Sequence, residues 1–416
     1  MATPDAELDA TVRAQWPRIL AWLMRTIGDW DLAEDCAQDA VERALRTWPR
    51  DGVPDNPGAW LTAVARRRAL DVLRRRATES RALQACTAQA QAEAPTLDAG
   101  GGFADDRLRL LFTCCHPLLT LQDRVALTLR SVCGLPTRDI ARLLLVREAA
   151  MSQRLRRVRQ QIVRSGLALE VPPADEVEER IGAVLAVIYL LFTQGYAVTV
   201  GDAVRDELAE EAITLAALLT CLLPREAEAH ALRALILLQH ARRPARFSPG
   251  GELVPLEDQA RGLWDRPLLA AGLQALRIAR GLTETDGVVG VYRPQAEIAA
   301  LHSTAASAGS TDWAEIVGWY DALLAAGPAP VVELSRVVAV GMRDGAAAGL
   351  AELDEVAGRA RVEGLAEVPA IRADLLRRAG RRAEARAAYE EAVVVAPNES
   401  ARRFLQARLT QMTERQ

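Results

Sequence analysis

The chain has 416 residues, half of them apolar, with 51 basic and 55 acidic side chains and a net charge of −4. That length calls for two to four domains, and the apolar share makes sizeable cores possible. The sequence has no signal peptide and no apolar run of spanning length, so a membrane role and an oxidising compartment are not expected.

All 51 basic residues are arginine, aromatics make up only 4%, and Ala, Leu, Arg and Glu dominate, which predicts an all-α fold. Charge is divided unevenly. Residues 1–166 hold 25 Arg against 20 acidic residues, whereas the remainder holds 26 against 35. A basic front and an acidic rear point to separate jobs.

Along the chain, residues 8–27 read as a helix with Leu8, Val12, Trp16, Ile19, Leu20 and Leu23 on one face, broken after Gly28. Asp29–Pro49 reads as a second helix. Asp31 is the expected N-cap and Glu34 its capping-box partner. Leu32, Cys36, Ala40, Val41, Ala44, Leu45 and Trp48 form its apolar side, while Glu34, Asp35, Gln38, Asp39 and Glu42 form an acidic exposed face. After a Pro/Gly/Asp-rich loop, Asn56-Pro57 combines an N-cap with proline at the first helical position. The helix that follows packs through Trp60, Leu61, Val64, Ala65, Val72 and Leu73. It carries six arginines (66–68 and 74–76) against the single Asp71, a density suited to phosphate contact.

Residues 81–104 are poor in hydrophobic bulk and end in a glycine run, as expected of a flexible linker. Leu121, Val125, Leu129 and Val132 then form a stripe ending at Gly134. From Leu135 to Arg164 two short helices follow, joined by a tight turn. Thr137 is the expected cap of the first, which buries Ile140, Leu143 and Leu144. Met151, Leu155, Val158 and Ile162 stripe the second, leaving Ser152, Gln153, Arg154, Arg156, Arg157, Arg159 and Gln160 on its other faces. Such side chains donate to phosphates or read base edges, the pattern of a helix-turn-helix whose second helix does the reading. A plain helical hairpin with a solvated arginine face is the alternative.

The six cysteines (Cys36, Cys86, Cys114, Cys115, Cys133 and Cys221) show no CxxC pairing and read as reduced cytoplasmic thiols. Cys114-Cys115-His116 is a poor chelate for tetrahedral zinc, so no metal is expected. Neither is an enzyme or a cofactor: the chain has no HExxH, GxSxG or dinucleotide fingerprint, and its histidines (116, 230, 240 and 302) are scattered.

Taken together, an acidic helix, the NPGAWLTAVARRRALDVLRR segment, a linker and a helix-turn-helix resemble a bacterial RNA polymerase sigma factor of the extracytoplasmic-function group. Within that group the chain is similar to the subfamily with a long C-terminal extension bearing tetratricopeptide-like repeats. DDRLRLLFTCCHPLLT, VLAVIYLLFTQGY, PLEDQARGLWDR and ADLLRRAGRRAEARAAYEEA carry that likeness. The subfamily's Asn-Glu before Gly195-Tyr196 is replaced here by Thr193-Gln194, so any role of that acidic position is not carried over.

The resemblance implies sigma region two over 1–80, the linker over 81–104, region four over 105–168, and a helical extension over 176–416 with a tetratricopeptide-like pair near 371–397. Trp313–Ala357 would hold a degenerate earlier pair. It also implies roles. Asp35, Gln38, Asp39 and Arg43 would grip the core polymerase. Asn56, Arg66, Arg67, Arg74 and Arg75 would hold melted minus-ten DNA, with Trp60 in the core. Ser152, Gln153, Arg154 and Arg157 would lie nearest the minus-thirty-five bases, and Arg156 and Arg159 on phosphates. The partners implied are bacterial core polymerase, promoter DNA and a protein or peptide at the extension, with no membrane. The rival reading is a stand-alone helix-turn-helix regulator with a helical sensor domain.

Overall fold

The structure is a computed structural model, and it describes residues 4–84, 103–144, 146–165, 174–196, 203–248, 253–286, 289–327, 329–359, 362, 365–397 and 399–414. Among these residues the fold is all-α. No strand occurs, and extended pairing is limited to an isolated antiparallel bridge between Phe247 and Leu253. The chain divides into two compact units, Met1–Leu191 and Phe192–Gln416.

The first unit opens with α1 (Pro4–Ile27), α2 (Trp30–Asp51) and α3 (Pro57–Gln84), each packed on the other two. Trp16, Ile19, Leu20 and Leu23 of α1 are buried, as their spacing demands. Gly28 ends α1 with φ +69°, a conformation that costs side-chain-bearing residues energy. The cap of α2 differs from expectation. Asp29, not Asp31, occupies the extended N-cap position and accepts from the Leu32 N–H at 3.2 Å. Glu34 is therefore not a capping-box partner, nor is it on the exposed acidic face; it is buried. Asn56 caps α3 by accepting from the Ala59 N–H at 3.0 Å, with Pro57 as the first helical residue. Helix α3 runs through Gln84, further than its apolar pattern, so the first four residues expected as linker are helical. Residues 85–102 of that expected linker lie outside the described residues.

Next come α4 (Phe103–Cys114), α5 (Leu121–Ser131), α6 (Thr137–Leu143) and α7 (Glu148–Arg164). Helix α4 packs on α1 as well as on α5, and α7 packs on both α5 and α6. Thr120 caps α5, accepting from the Asp123 N–H at 3.2 Å. Thr137 does not cap α6; it is the first helical residue, preceded by the extended Pro136, which offers no side-chain cap. Gly134 takes φ +70°, and a Cβ there would stand 3.3 Å from the Trp16 ring, so both conformation and contact favour glycine. Met151, Leu155, Val158 and Ile162 are all buried, which fixes the faces of α7.

Cys114, Cys115 and His116 are buried at the end of α4. Burial pushes the Cys115 thiol up to about 12, and Cys114 is raised well above its usual value for the same reason. His116 uses Nδ1 to accept from the Leu118 N–H at 3.2 Å. These are the properties of a packed, protonated corner of the core. Helix α8 (Ala174–Tyr196) contains the boundary between the units.

The second unit continues with α9 (Ala203–Leu222), α10 (Ala227–His240), α11 (Arg266–Asp286) and α12 (Tyr292–Thr304). Helix α10 is the centre of this group and packs on the other three. Glu228 of α10 accepts from the N–H groups of Tyr292 and Arg293 at 2.8 and 3.1 Å, closing the start of α12. Then come α13 (Trp313–Ala326), α14 (Pro330–Asp344), α15 (Ala346–Ala357), α16 (Glu367–Arg378), α17 (Arg382–Val395) and α18 (Glu399–Glu414), each packed against the next. The α14–α15 crossing is close: a Cβ on Gly349 would meet the Gly341 Cα at 2.8 Å. Leu334, Val337, Leu353, Leu376, Tyr389 and Leu405 belong to the core of this array.

Candidate nucleic-acid interface

Three surfaces of the first unit carry the residues that the sequence singles out. The first is the outer side of α2. Asp35, Gln38 and Arg43 are exposed there. Asp39 is half-buried and receives the Arg68 Nε of α3 at 2.5 Å. That hydrogen bond and the attraction of the carboxylate raise the Arg68 pKa further. Asp39 is thus engaged with α3, while Asp35 and Gln38 face outward.

The second surface is a groove of 710 Å³ where α1 and α3 meet. Asn56, Arg66, Arg67 and Arg74 line it, joined by Gln15 and Arg18 of α1. Arg66 lies over the Trp22 ring at 4.8 Å, which holds its guanidinium against the helix bundle. Arg67 and Arg74 are exposed, and Arg74 approaches Asp71 at 3.7 Å. The side chain of Arg75 lies outside the described residues. Trp60 is half-buried, edge-on to Trp48 with centroids 5.6 Å apart. The excess of guanidiniums along the groove suits a sugar-phosphate backbone. Gln15 and Arg18 were missed in reading the sequence. The available signal was their position on α1 beside the buried Trp16 and Ile19.

The third surface is α7. Ser152, Gln153, Arg156 and Arg157 are exposed. Arg154 is half-buried, with Nε 3.8 Å from Asp123. Arg159, expected on a phosphate, is turned inward. Its Nη1 reaches Asp31 at 3.1 Å and its Nη2 pairs with Glu34. Arg130 of α5 pairs with the same Glu34 and lies over the Trp16 ring at 5.5 Å. Glu34 is 4% exposed, so two guanidiniums share one buried carboxylate between α2 and the helix-turn-helix. Asp31, Asp35 and Gln38 of α2 and Ser152, Arg156 and Arg159 of α7 line one crevice of 350 Å³.

Comparison with known proteins matches three stretches of the chain. Residues 11–79 match the family model of sigma-70 region 2, residues 109–162 match that of sigma-70 region 4, and residues 180–280 match a family of unknown function, DUF6596. An uncharacterized protein of Rhizobium meliloti is 40% identical over 417 residues, covering 98% of this chain and 96% of that relative. The probable ECF RNA polymerase sigma factor SigI of Mycobacterium tuberculosis is 31% identical over 171 residues, 39% of this chain and 58% of the relative. No solved structure matches the chain.

Proposed function

Because this chain belongs to the sigma-70 family, as a member of the extracytoplasmic-function type with a DUF6596 extension, we propose that it directs core RNA polymerase to a defined set of promoters and that its extension regulates this step. The observation that carries the reading is the pairing of two family regions, each with exposed arginines, on one chain. Arg67 and Arg74 of α3 and Arg156 and Arg157 of α7 are open to solvent. Exposed arginine is the residue type that positions a protein on phosphates and reads guanine edges.

In this reading α2 meets the polymerase through Asp35, Gln38, Asp39 and Arg43. The groove lined by Asn56, Arg66, Arg67 and Arg74, together with Arg75, holds the opened minus-ten strand. Gln15 and Arg18 flank the same strand. Ser152, Gln153, Arg154 and Arg157 read the minus-thirty-five duplex, with Arg156 on its backbone, while Arg159 stays with Asp31 and Glu34. The expected linker (81–104) lets the two regions span a promoter. The extension, with its tetratricopeptide-like pair at 371–397, serves as a regulatory or partner-binding domain. The reading asks no covalent chemistry of the chain and places its work in the cytoplasm. Among the described residues no helix is long and apolar enough to cross a membrane.

Asp35→Arg tests the polymerase contact. Asp35 is exposed and its substitution leaves the helix core untouched. The wild-type chain is expected to co-elute with bacterial core enzyme and start transcripts at specific sites. Asp35→Arg, and more fully Asp35→Arg with Asp39→Arg, should abolish both while the circular dichroism spectrum is unchanged. Tight binding of duplex promoter DNA without core enzyme, and no transcription with it, would instead favour a stand-alone regulator.

A further inference from the structure

The second unit contains a cavity of 270 Å³, about nine waters by volume. Its lining comes from α14, α16, α17 and α18 and from two segments outside the α-helices. One segment brings Leu256, Glu257 and Arg261, and the other brings Thr311 just before α13. The two ends of the cavity have different chemistry.

At one end charge is balanced. Arg378 of α16 pairs with Asp374 and with Glu257, each at 2.6 Å, and Arg408 of α18 reaches Asp258 at 3.0 Å. At the other end it is not. Arg261 donates from Nη1 to the carbonyls of His302 and Ala305 at 2.6 and 3.0 Å and lies over the Trp264 ring at 4.6 Å. Among the described residues no carboxylate pairs with it. Arg242, whose charge is felt by both Arg261 and His302, has no carboxylate partner there either. Its Nε is buried without an acceptor, and so is the Nε1 of Trp264 beneath Arg261.

Burial first, then these two guanidiniums, hold His302 down to about 4, so it is neutral at pH 7. Of these groups Arg261 lines the cavity, and Arg242 and Trp264 do not, so one end of the cavity carries a guanidinium hydrogen-bonded to carbonyls but balanced by no carboxylate among the described residues. A carboxylate on an arginine fork is the usual complement of such a charge. Between the two ends the walls are apolar. Trp313, edge-on to His302 with centroids 5.3 Å apart, Met342, Tyr389, Phe404 and Leu405 supply them.

We propose that this cavity binds a small organic carboxylate with an aromatic or compact apolar body. Its carboxylate meets the forked guanidinium of Arg261, and its body fills the space between Trp313, Met342 and Phe404. The cavity volume limits the occupant to a molecule of metabolite size, and Arg261, with no carboxylate partner among the described residues, sets its sign. The proposal goes beyond promoter selection and rests on the second unit alone.

Titration calorimetry on the full chain with 1-naphthoate, and with the neutral 1-naphthamide as its partner probe, tests it. Naphthoate should bind saturably, and the amide about tenfold more weakly or worse. Arg261→Gln should bring the two probes level by weakening naphthoate, and Met342→Trp, which fills the cavity, should abolish binding of both. No saturable naphthoate binding, equal affinity for the two probes in the wild-type chain, or unchanged binding in Met342→Trp overturns the proposal. If Arg261→Gln fails to fold, the naphthoate-to-naphthamide ratio and Met342→Trp still decide. The readout is heat of binding without polymerase, so its failure and a failure to initiate transcription are separate results.

Discussion

Guanidiniums are gathered in each unit, with opposite outcomes. In the first unit Arg130 and Arg159 converge on Glu34, a carboxylate 4% exposed. In the second, Arg242 and Arg261 stand near one another with no carboxylate among the described residues, and His302 is forced neutral beside them. The same residue type therefore does two jobs. Paired internally, arginine fastens one helix to another; unpaired, it holds a place for charge that must come from elsewhere. In a chain whose basic residues are all arginine, composition does not separate these jobs, and only the partners do.

The sharpest way to break this comparison is to remove the shared carboxylate. Glu34→Ala leaves the largely buried Arg130 without its carboxylate and Arg159 with only the exposed Asp31, and should cost the first unit about 3–5 kcal/mol, read as a lower urea midpoint. Replacing all three groups with apolar side chains of similar size (Glu34→Leu, Arg130→Met and Arg159→Leu) should restore most of that loss. A Glu34→Ala midpoint equal to wild type would show that the cluster fastens nothing.

The second unit makes the opposite prediction, through pH. The folded-state pKa of His302, about 4, lies below the ordinary 6.5, so the unfolded chain takes up a proton that the folded one refuses. Stability from this group is complete above pH 6.5 and drains away as pH falls toward 4, by about 3 kcal/mol at most. His302→Asn should flatten that part of the stability profile relative to wild type. Parallel profiles would remove the histidine from the account.

The smallest effect belongs to the surface. Arg68 and Asp39 meet at 2.5 Å, but their side chains are 41% and 45% exposed. A double-mutant cycle with Arg68→Ala and Asp39→Ala should give less than about 1 kcal/mol, and less still in high salt.

What could be read from the sequence was whatever is decided within a few residues. Met151, Leu155, Val158 and Ile162 repeat with the helical period and are buried; Asn56-Pro57 starts a helix because both residues act on the adjacent backbone. The inward turn of Arg159 could not be read that way, since its partner Asp31 is 128 positions distant. Glu34 looked like one more exposed acid because the helical wheel places it beside Asp35 and Gln38. Only the approach of α5 and α7 buries it. The cavity of the second unit escaped for the same reason: its walls come from segments between Pro255 and Arg408, and no stretch of sequence contains the site. At α2, Asp29 and Asp31 could each cap, and backbone geometry chose the first.

The crevice between α2 and α7 has one consequence for assembly. Asp35 and Gln38, read as polymerase contacts, open onto the same 350 Å³ as Ser152 and Arg156, read as DNA contacts. That space amounts to about a dozen waters, and an α-helix alone is about 10 Å across. Neither a helical rod nor a double helix fits inside it, so a guest on either face meets these exposed side chains at the rim. Two guests seated on their assigned faces therefore crowd one rim, beside the bonds that Arg159 makes with Asp31 and Glu34.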